Sequence, residues 1–289
     1  MTVPSAIRRR SPLERVLATH SWLVYLFFYA PIIVLVVFSF NDGRQVSIWQ
    51  GASLRWYRQM LQDAALMSAL KNSLIVALVS TVVSTVLGTA SALALERFRW
   101  RTQRVYDGLI YLAIIVPEVT LAAMMLVFFI QAFDIIGGIT GNTPNLSLTT
   151  IILSHIAFNI AFVVVVVRAR LAGLDPSLEE AAADLYASRW KAFRRVTLPL
   201  IMPGVLGGAL LALTMSLDDV VTTAFVSGPG STTLPVYVFG LVKKGVTPVI
   251  NAVSVLMLLV SMALVLSSLA AQQGGIMARA RRRKKEKNP

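Results

Sequence analysis

Long apolar runs alternate with short polar ones along the whole chain. A helix that crosses the hydrocarbon core of a bilayer needs about 20 mostly apolar residues at about 1.5 Å rise each. Six stretches reach that length: Trp22–Phe40, Asn72–Leu95, Leu109–Phe133, Leu148–Val167, Leu200–Val226 and Val249–Ala271. The first contains Pro31, which a membrane bundle tolerates because neighbouring groups satisfy the freed carbonyl. The fifth is interrupted by Asp218 and Asp219, which weakens the case for one continuous helix there. The pattern therefore predicts an all-α polytopic membrane protein. Its parts are an N-terminal segment (1–21), a six-helix transmembrane domain (22–271) with a long polar loop at about 168–199, and a basic tail (272–289).

Composition agrees and charge adds a direction. Of the 289 residues, 56% are hydrophobic and only 14% charged, a balance foreign to soluble domains. Of the 27 Lys and Arg, 21 fall on the N-terminal segment, the loops after spans two and four, and the tail from Arg279 to Lys287. The opposite side holds Arg44, Arg55, Arg58, Lys243 and Lys244, with Lys71 at a boundary. By the positive-inside rule both termini and the 168–199 loop face the cytoplasm. The net charge of +13 is then an orientation signal and a contact with anionic lipid, with no need for nucleic acid. Arg8-Arg9-Arg10 ahead of an apolar run resembles an export signal, but that run ends Phe38-Ser39-Phe40-Asn41 without a small-x-small cleavage site, so it reads as an uncleaved first span.

Several chemistries lack their residues. There is no cysteine, and His20 and His155 are too few for a histidine metal centre. No Gly-x-x-x-x-Gly-Lys-Ser/Thr occurs, so any ATP that drives the protein binds elsewhere. No useful internal repeat points to an inverted-repeat carrier. Nothing recommends an enzyme.

The polar island between spans four and five has helical texture. Asp175 is a good N-cap and Pro176 suits the first helical position; Ser177 with Glu180 offers an alternative capping box. Leu178, Ala181, Ala182 and Leu185 share one shallow apolar face. A second short helix is expected after Ser188, carrying Trp190, Phe193 and Arg194 and ending before Pro199. Such an island is either a docking surface for a soluble partner or an amphipathic loop packed on its own bundle.

The spans carry three acids: Glu118 after Pro117, placed near mid-depth, and Asp218 with Asp219, placed nearer the outer side. An aspartate at a helix centre costs roughly 2.5–3.5 kcal/mol on insertion scales, so such groups usually line a cavity or pathway. With no Lys or Arg inside the spans, they predict a path that favours cations, or else protonated structural carboxyls. Trp49, Trp56 and Tyr57 form an interfacial belt or a stacking surface for amines. His155 and Asn159, one turn apart, are expected to hydrogen-bond between helices, with substrate contact as the alternative.

Glu180-Ala181-Ala182-Ala183-Asp184-Leu185-Tyr186 with Val196-Thr197-Leu198-Pro199 resembles the EAA loop of ABC-importer permeases. Glu180, Ala181, Ala182, Asp184, Leu185, Leu198 and Pro199 match; Val196 replaces an isoleucine and Tyr186 replaces a turn glycine, which puts the turn geometry in question. Thr214–Val220, Phe225–Gly230 and Thr232–Pro235, together with Ser39-Phe40-Asn41, Trp49 and Arg55-Trp56-Tyr57, are similar to putrescine/spermidine importer permeases from about residue 25 to 270. The resemblance implies a type I, MetI-like permease in a bacterial inner membrane. It also implies a second permease forming a heterodimer with this one, two ATPase subunits that hold ATP and Mg, and an extracytoplasmic polyamine-binding protein. In that reading the EAA residues and Tyr186 contact the ATPase, and Glu118, Asp218, Asp219 and Trp49 line the substrate path. An ion-coupled carrier or cation channel, and an importer for a related amine, opine or amino acid, remain alternatives.

Overall fold

The computed structural model describes residues 12–45, 48–98, 100–175, 177–245 and 247–286. The Arg8–Arg10 run, Arg99, Pro176 and Lys287 lie outside the described residues. The chain forms two compact units, residues 1–62 with 245–257, and residues 63–244 with 258–289. Six helices are long and apolar enough to cross a membrane.

In the first unit, α1 (Pro12–Ser39) runs through Pro31 and leads into a short loop closed by an isolated bridge between Asn41 and Ala52. The loop is organised by Asn41. Its side chain donates to the Ile48 carbonyl (2.7 Å) and accepts from the Gln50 amide (2.8 Å), while its backbone carbonyl accepts from Trp56 Nε1 (2.7 Å). Trp56 opens α2 (Arg55–Gln62) and is buried; Tyr57 beside it hydrogen-bonds Ser39 Oγ at 2.7 Å. The Ser39-Phe40-Asn41 and Arg55-Trp56-Tyr57 segments are thus two halves of one module. Trp56 is a structural anchor, neither a belt residue nor a free stacking face.

The second unit begins at α3 (Ala64–Arg97), capped by Asp63, whose Oδ1 accepts from the Ala65 and Leu66 amides. The third predicted span is two helices, α4 (Gln103–Ile115) and α5 (Glu118–Thr140). Pro117 has no N–H to continue α4 and forces Val116 into an extended conformation (ψ 131°). α6 (Leu148–Leu171) starts on a capping box between Ser147 and Thr150. The polar island follows as α7 (Ser177–Asp184) and α8 (Arg189–Ala192), and a π-helical turn at Phe193–Thr197 joins α8 to α9 (Leu198–Asp218). The expected stop before Pro199 is therefore absent: Pro199 sits in the first turn of α9, where no N–H is needed, and the helix runs on. α9 does end at the aspartate pair and is followed by α10 (Val221–Val226) and α11 (Leu234–Lys244); the last described helix, α12 (Pro248–Glu286), has residues 248–257 in the first unit and the rest in the second.

The core is the trio α3, α6 and α9. Apolar surface gives no drive for helices to associate in lipid, so close packing of small residues and polar contacts must do it. α9 presents Gly204, Gly208, Ala212 and Ser216 at intervals of four, all buried. A Cβ on Gly88 of α3 would stand 2.7 Å from Val163 of α6, and one on Gly204 would stand 2.7 Å from the Arg170 side chain. Each contact is too close for any residue but glycine.

Candidate functional site

The two helix breaks bring the three acids together. A cavity of about 640 Å³ is lined by Glu118, Asp218 and Asp219, with Ala113–Val116 at the end of α4 and with Phe158, Phe162 and Met215 among its apolar walls. This volume suits a small organic molecule. Glu118, Asp218 and Asp219 line the same cavity, so the acids form one cluster. Counting from Leu109 had separated Glu118 from the aspartates in depth. α4 actually starts at Gln103, so its 13 residues rise roughly 20 Å before the break that precedes Glu118.

The acids are not equivalent. Asp219 is buried and caps α10: its Oδ1 accepts from the Thr222 amide (3.2 Å), and its Oδ2 accepts from the Thr223 amide (2.7 Å) and the Thr223 hydroxyl (2.6 Å). His155 Nε2 of α6 lies 3.2 Å from the same Oδ2. The expectation of three acids without a base is corrected here, since Asp219 has a histidine. A carboxylate only accepts, which places a ring proton on Nε2, and Nδ1 lies 2.5 Å from Ser216 Oγ. Ser216 in turn meets Ser80 Oγ of α3 at 2.9 Å. The chain Ser80–Ser216–His155–Asp219 ties α3, α9, α6 and the α9–α10 break into one network. Asp218 and Glu118 are exposed, and among the described residues neither has an ion pair.

His155 makes its interhelical bonds as expected, but Asn159 does not: its amide is fully buried with neither Oδ1 nor Nδ2 hydrogen-bonded. Trp49 is half exposed, packs edge-on against Phe38 at 6.2 Å, and is not among the residues lining the cavity. Sequence reasoning missed Thr222 and Thr223 as partners of Asp219, and Ser216 as a partner of His155. The available signal was a hydroxyl three residues before the acid and two more just after it, flanking a helix end.

In the polar island Asp175 caps α7 through the Ser177 amide (3.0 Å), and that N–H holds its carboxyl below the usual carboxylate range. Ser188 caps α8. Glu180, Ala181, Asp184 and Leu185 are exposed, Ala182 is half-buried, and Leu198 and Pro199 belong to the first turn of α9. Tyr186 adopts φ 56°, the left-handed conformation that favours glycine, with its side chain 99% exposed. Its amide bonds the Ala183 carbonyl and the next amide bonds that of Ala182, closing α7 as a left-handed C-terminal turn. The turn thus takes the positive φ that a glycine would supply, with tyrosine in that place. Glu179, not singled out by the sequence, is half-buried and binds Arg97 and Thr197.

The family profile described as "Binding-protein-dependent transport system inner membrane component" matches residues 84–281. The chain belongs to this family. The permease is 42% identical over 237 residues to the putrescine transport system permease protein PotI of Escherichia coli (strain K12), covering 82% of this chain and 83% of that one. It is 37% identical over 245 residues to the spermidine/putrescine transport system permease protein PotC of the same strain, covering 85% and 89%. Among solved structures it is similar to a bacterial ABC transporter involved in the import of alginate (TM-score 0.76, 18% identity, 90% and 95% covered) and to the MetNI methionine ABC transporter (TM-score 0.58, 16% identity, 76% and 98% covered). The fold is the MetI-like importer permease fold, and the permease is a multi-pass membrane transport protein rather than an enzyme. The ion-coupled carrier and channel readings fall with this assignment.

Proposed function

We propose that the permease forms half of the translocation path of an ATP-driven importer for polyamines. Polyamines are flexible polycations. The observation that carries the substrate reading is the pairing of Asp218 and Glu118 on one cavity beside aromatic walls, with no ion pair to either among the described residues. A carboxylate facing a cavity of low polarity is costly until a cation arrives. Two of them at one site favour an amine with two or more charges, held without a deep trap. Asp219 is the weaker contact in this reading because its oxygens are already engaged. The two relatives named above are a putrescine and a spermidine/putrescine permease, and the same chemistry extends to this chain.

The other half of the path is a second permease, and substrate arrives from an extracytoplasmic binding protein. ATP and Mg reside on two ATPase subunits. These dock on the exposed face of α7, where Glu180, Ala181, Asp184 and Leu185 are open to a partner. Both termini and α7 lie in the cytoplasm, following the Lys and Arg bias.

The test is uptake of labelled putrescine and spermidine into proteoliposomes containing the whole complex. Asp218→Asn and Glu118→Gln keep volume and hydrogen bonding while removing charge. Each is expected to assemble and to transport poorly, with the greater loss for spermidine. Full transport by both variants would make the acids structural. Glu180→Lys is expected to insert normally while losing bound ATPase or coupled uptake; normal values of both would remove α7 from the docking role.

A further inference from the structure

At the end of the core trio away from the acid cluster, three side chains from distant parts of the chain close a ring. Arg97, the last residue of α3, donates from Nη2 to Glu179 on α7 and to the Thr197 hydroxyl (3.0 Å) in the π turn. Thr197 donates to the same oxygen of Glu179. Each member binds both others, across 18, 82 and 100 residues of sequence. A separate cavity of about 370 Å³ lies against the ring, walled by Leu171, Leu174, Leu178 and Leu200. The space beside α7 is thus only partly filled, and the polar ring is the specific contact that fixes its inner face.

The neighbouring charges extend the ring. Glu96, one residue before Arg97, approaches Arg168 of α6 (3.7 Å), and Arg168 also binds Asp107 of α4 at 2.5 Å. α4 is the helix whose far end, Ala113–Val116, walls the acid cavity. α7 itself offers adjacent acids with opposite tasks: Glu180 points outward, and Glu179 is held within its own chain. The joint meets α9 at a π turn, a form found mostly as a single-turn bulge in helices and often at functional sites.

We propose that Arg97 is a positioning residue that gears α7 to the membrane helices, acting through Glu179 and Thr197. This rests on the reading of α7 as the ATPase-docking helix. Motion of α7 reaches α3 through Arg97 and the start of α9 through Thr197, so both helices are displaced together. Without the ring, α7 still docks but slips against α3 and α9, and ATP is hydrolysed with little transport. An exposed pair of this kind adds little to stability; its value is in direction.

The experiment compares ATP hydrolysis with substrate uptake in proteoliposomes holding the full complex. Arg97→Ala and Glu179→Ala are expected to retain bound ATPase and its hydrolysis, while uptake per ATP falls about five-fold or more, the range typical of allosteric coupling. Thr197→Val gives a smaller loss. Arg97→Glu alone behaves like Arg97→Ala, and Arg97→Glu with Glu179→Arg regains most of the wild-type ratio, a recovery that a general packing role would not give. An unchanged ratio in both alanine variants overturns the proposal, as does a reversed pair no better than its single parents. If Arg97→Ala fails to assemble, the reversed pair decides the matter by itself. Glu180→Lys separates the two readings: lost docking there with an unaltered ratio in Arg97→Ala leaves the docking reading intact and removes the gearing.

Discussion

The breaks at Pro117 and Asp219 reach the same cavity by opposite means. At Pro117 one residue does the work: a missing N–H ends α4, and the carboxylate of Glu118 opens α5. At Asp219 no proline or glycine is present. The helix stops because a carboxylate caps α10 and a histidine from another helix fixes that carboxylate. The first break is local and encoded in the chain. The second is tertiary, and it exists only when α6, α9 and α10 are assembled. A transport path built from both has one bend written locally in the chain and one bend that depends on the whole bundle.

The largest expected effect follows from that dependence. Asp219→Leu removes the acceptor of the buried Thr222 and Thr223 amides and one of the partners of His155, and each unsatisfied amide should cost the folded protein roughly 1–3 kcal/mol. Thermal unfolding in detergent, read beside Asp218→Asn, checks it: the neighbouring exposed acid should leave the melting temperature unchanged. Equal losses at the two positions would erase the distinction between them.

Asn159 sits one turn along α6 from His155 and lacks what His155 has. A buried amide without partners costs roughly 1–3 kcal/mol, so Asn159→Leu should raise stability by about that amount. A loss instead would mean that the amide is bonded to an internal water.

Pro117→Ala should let α4 and α5 move toward one straight helix. Spin labels on cysteines introduced into the two helices, in a chain that has none of its own, should report a separation longer by several ångströms, with folding retained. An unchanged distance would show that the first break, like the second, is held by its neighbours. The smallest effect belongs to Tyr186, whose turn uses neither device. Tyr186→Gly relieves a left-handed conformation worth about 1 kcal/mol, and should slightly raise stability while leaving assembly intact. Lost transport with intact assembly would mean instead that the exposed ring fills a pocket on the ATPase.

What could be read from the sequence was whatever is local. Apolar run length located the spans, Asp175 and Ser188 announced the starts of α7 and α8, and the aspartate pair marked a weak point in span five. What could not be read depends on contacts over long separations. Asp219 and His155 are 64 residues apart, and Arg97 and Glu179 are 82 apart. No periodicity links such positions. Pro117 was visible, but its tolerance in lipid made a kink and a full break indistinguishable; Pro31 lies inside α1 without ending it. Depth along span three failed for a related reason, because polar Gln103 and Arg104 already belong to α4.

The glycine contacts of the core carry a mechanical consequence. Where Gly88 meets Val163 and Gly204 meets Arg170, backbone lies almost on side chain with no slack to take up strain. Material packed to that degree is stiff, and small displacements at one end are carried to the other rather than absorbed. The α3–α6–α9 trio should therefore behave as a single beam that pivots as it stands. Any flexing needed to open and close a path falls to the thinner pieces on its flanks, the short α10 and the jointed α4–α5 arm.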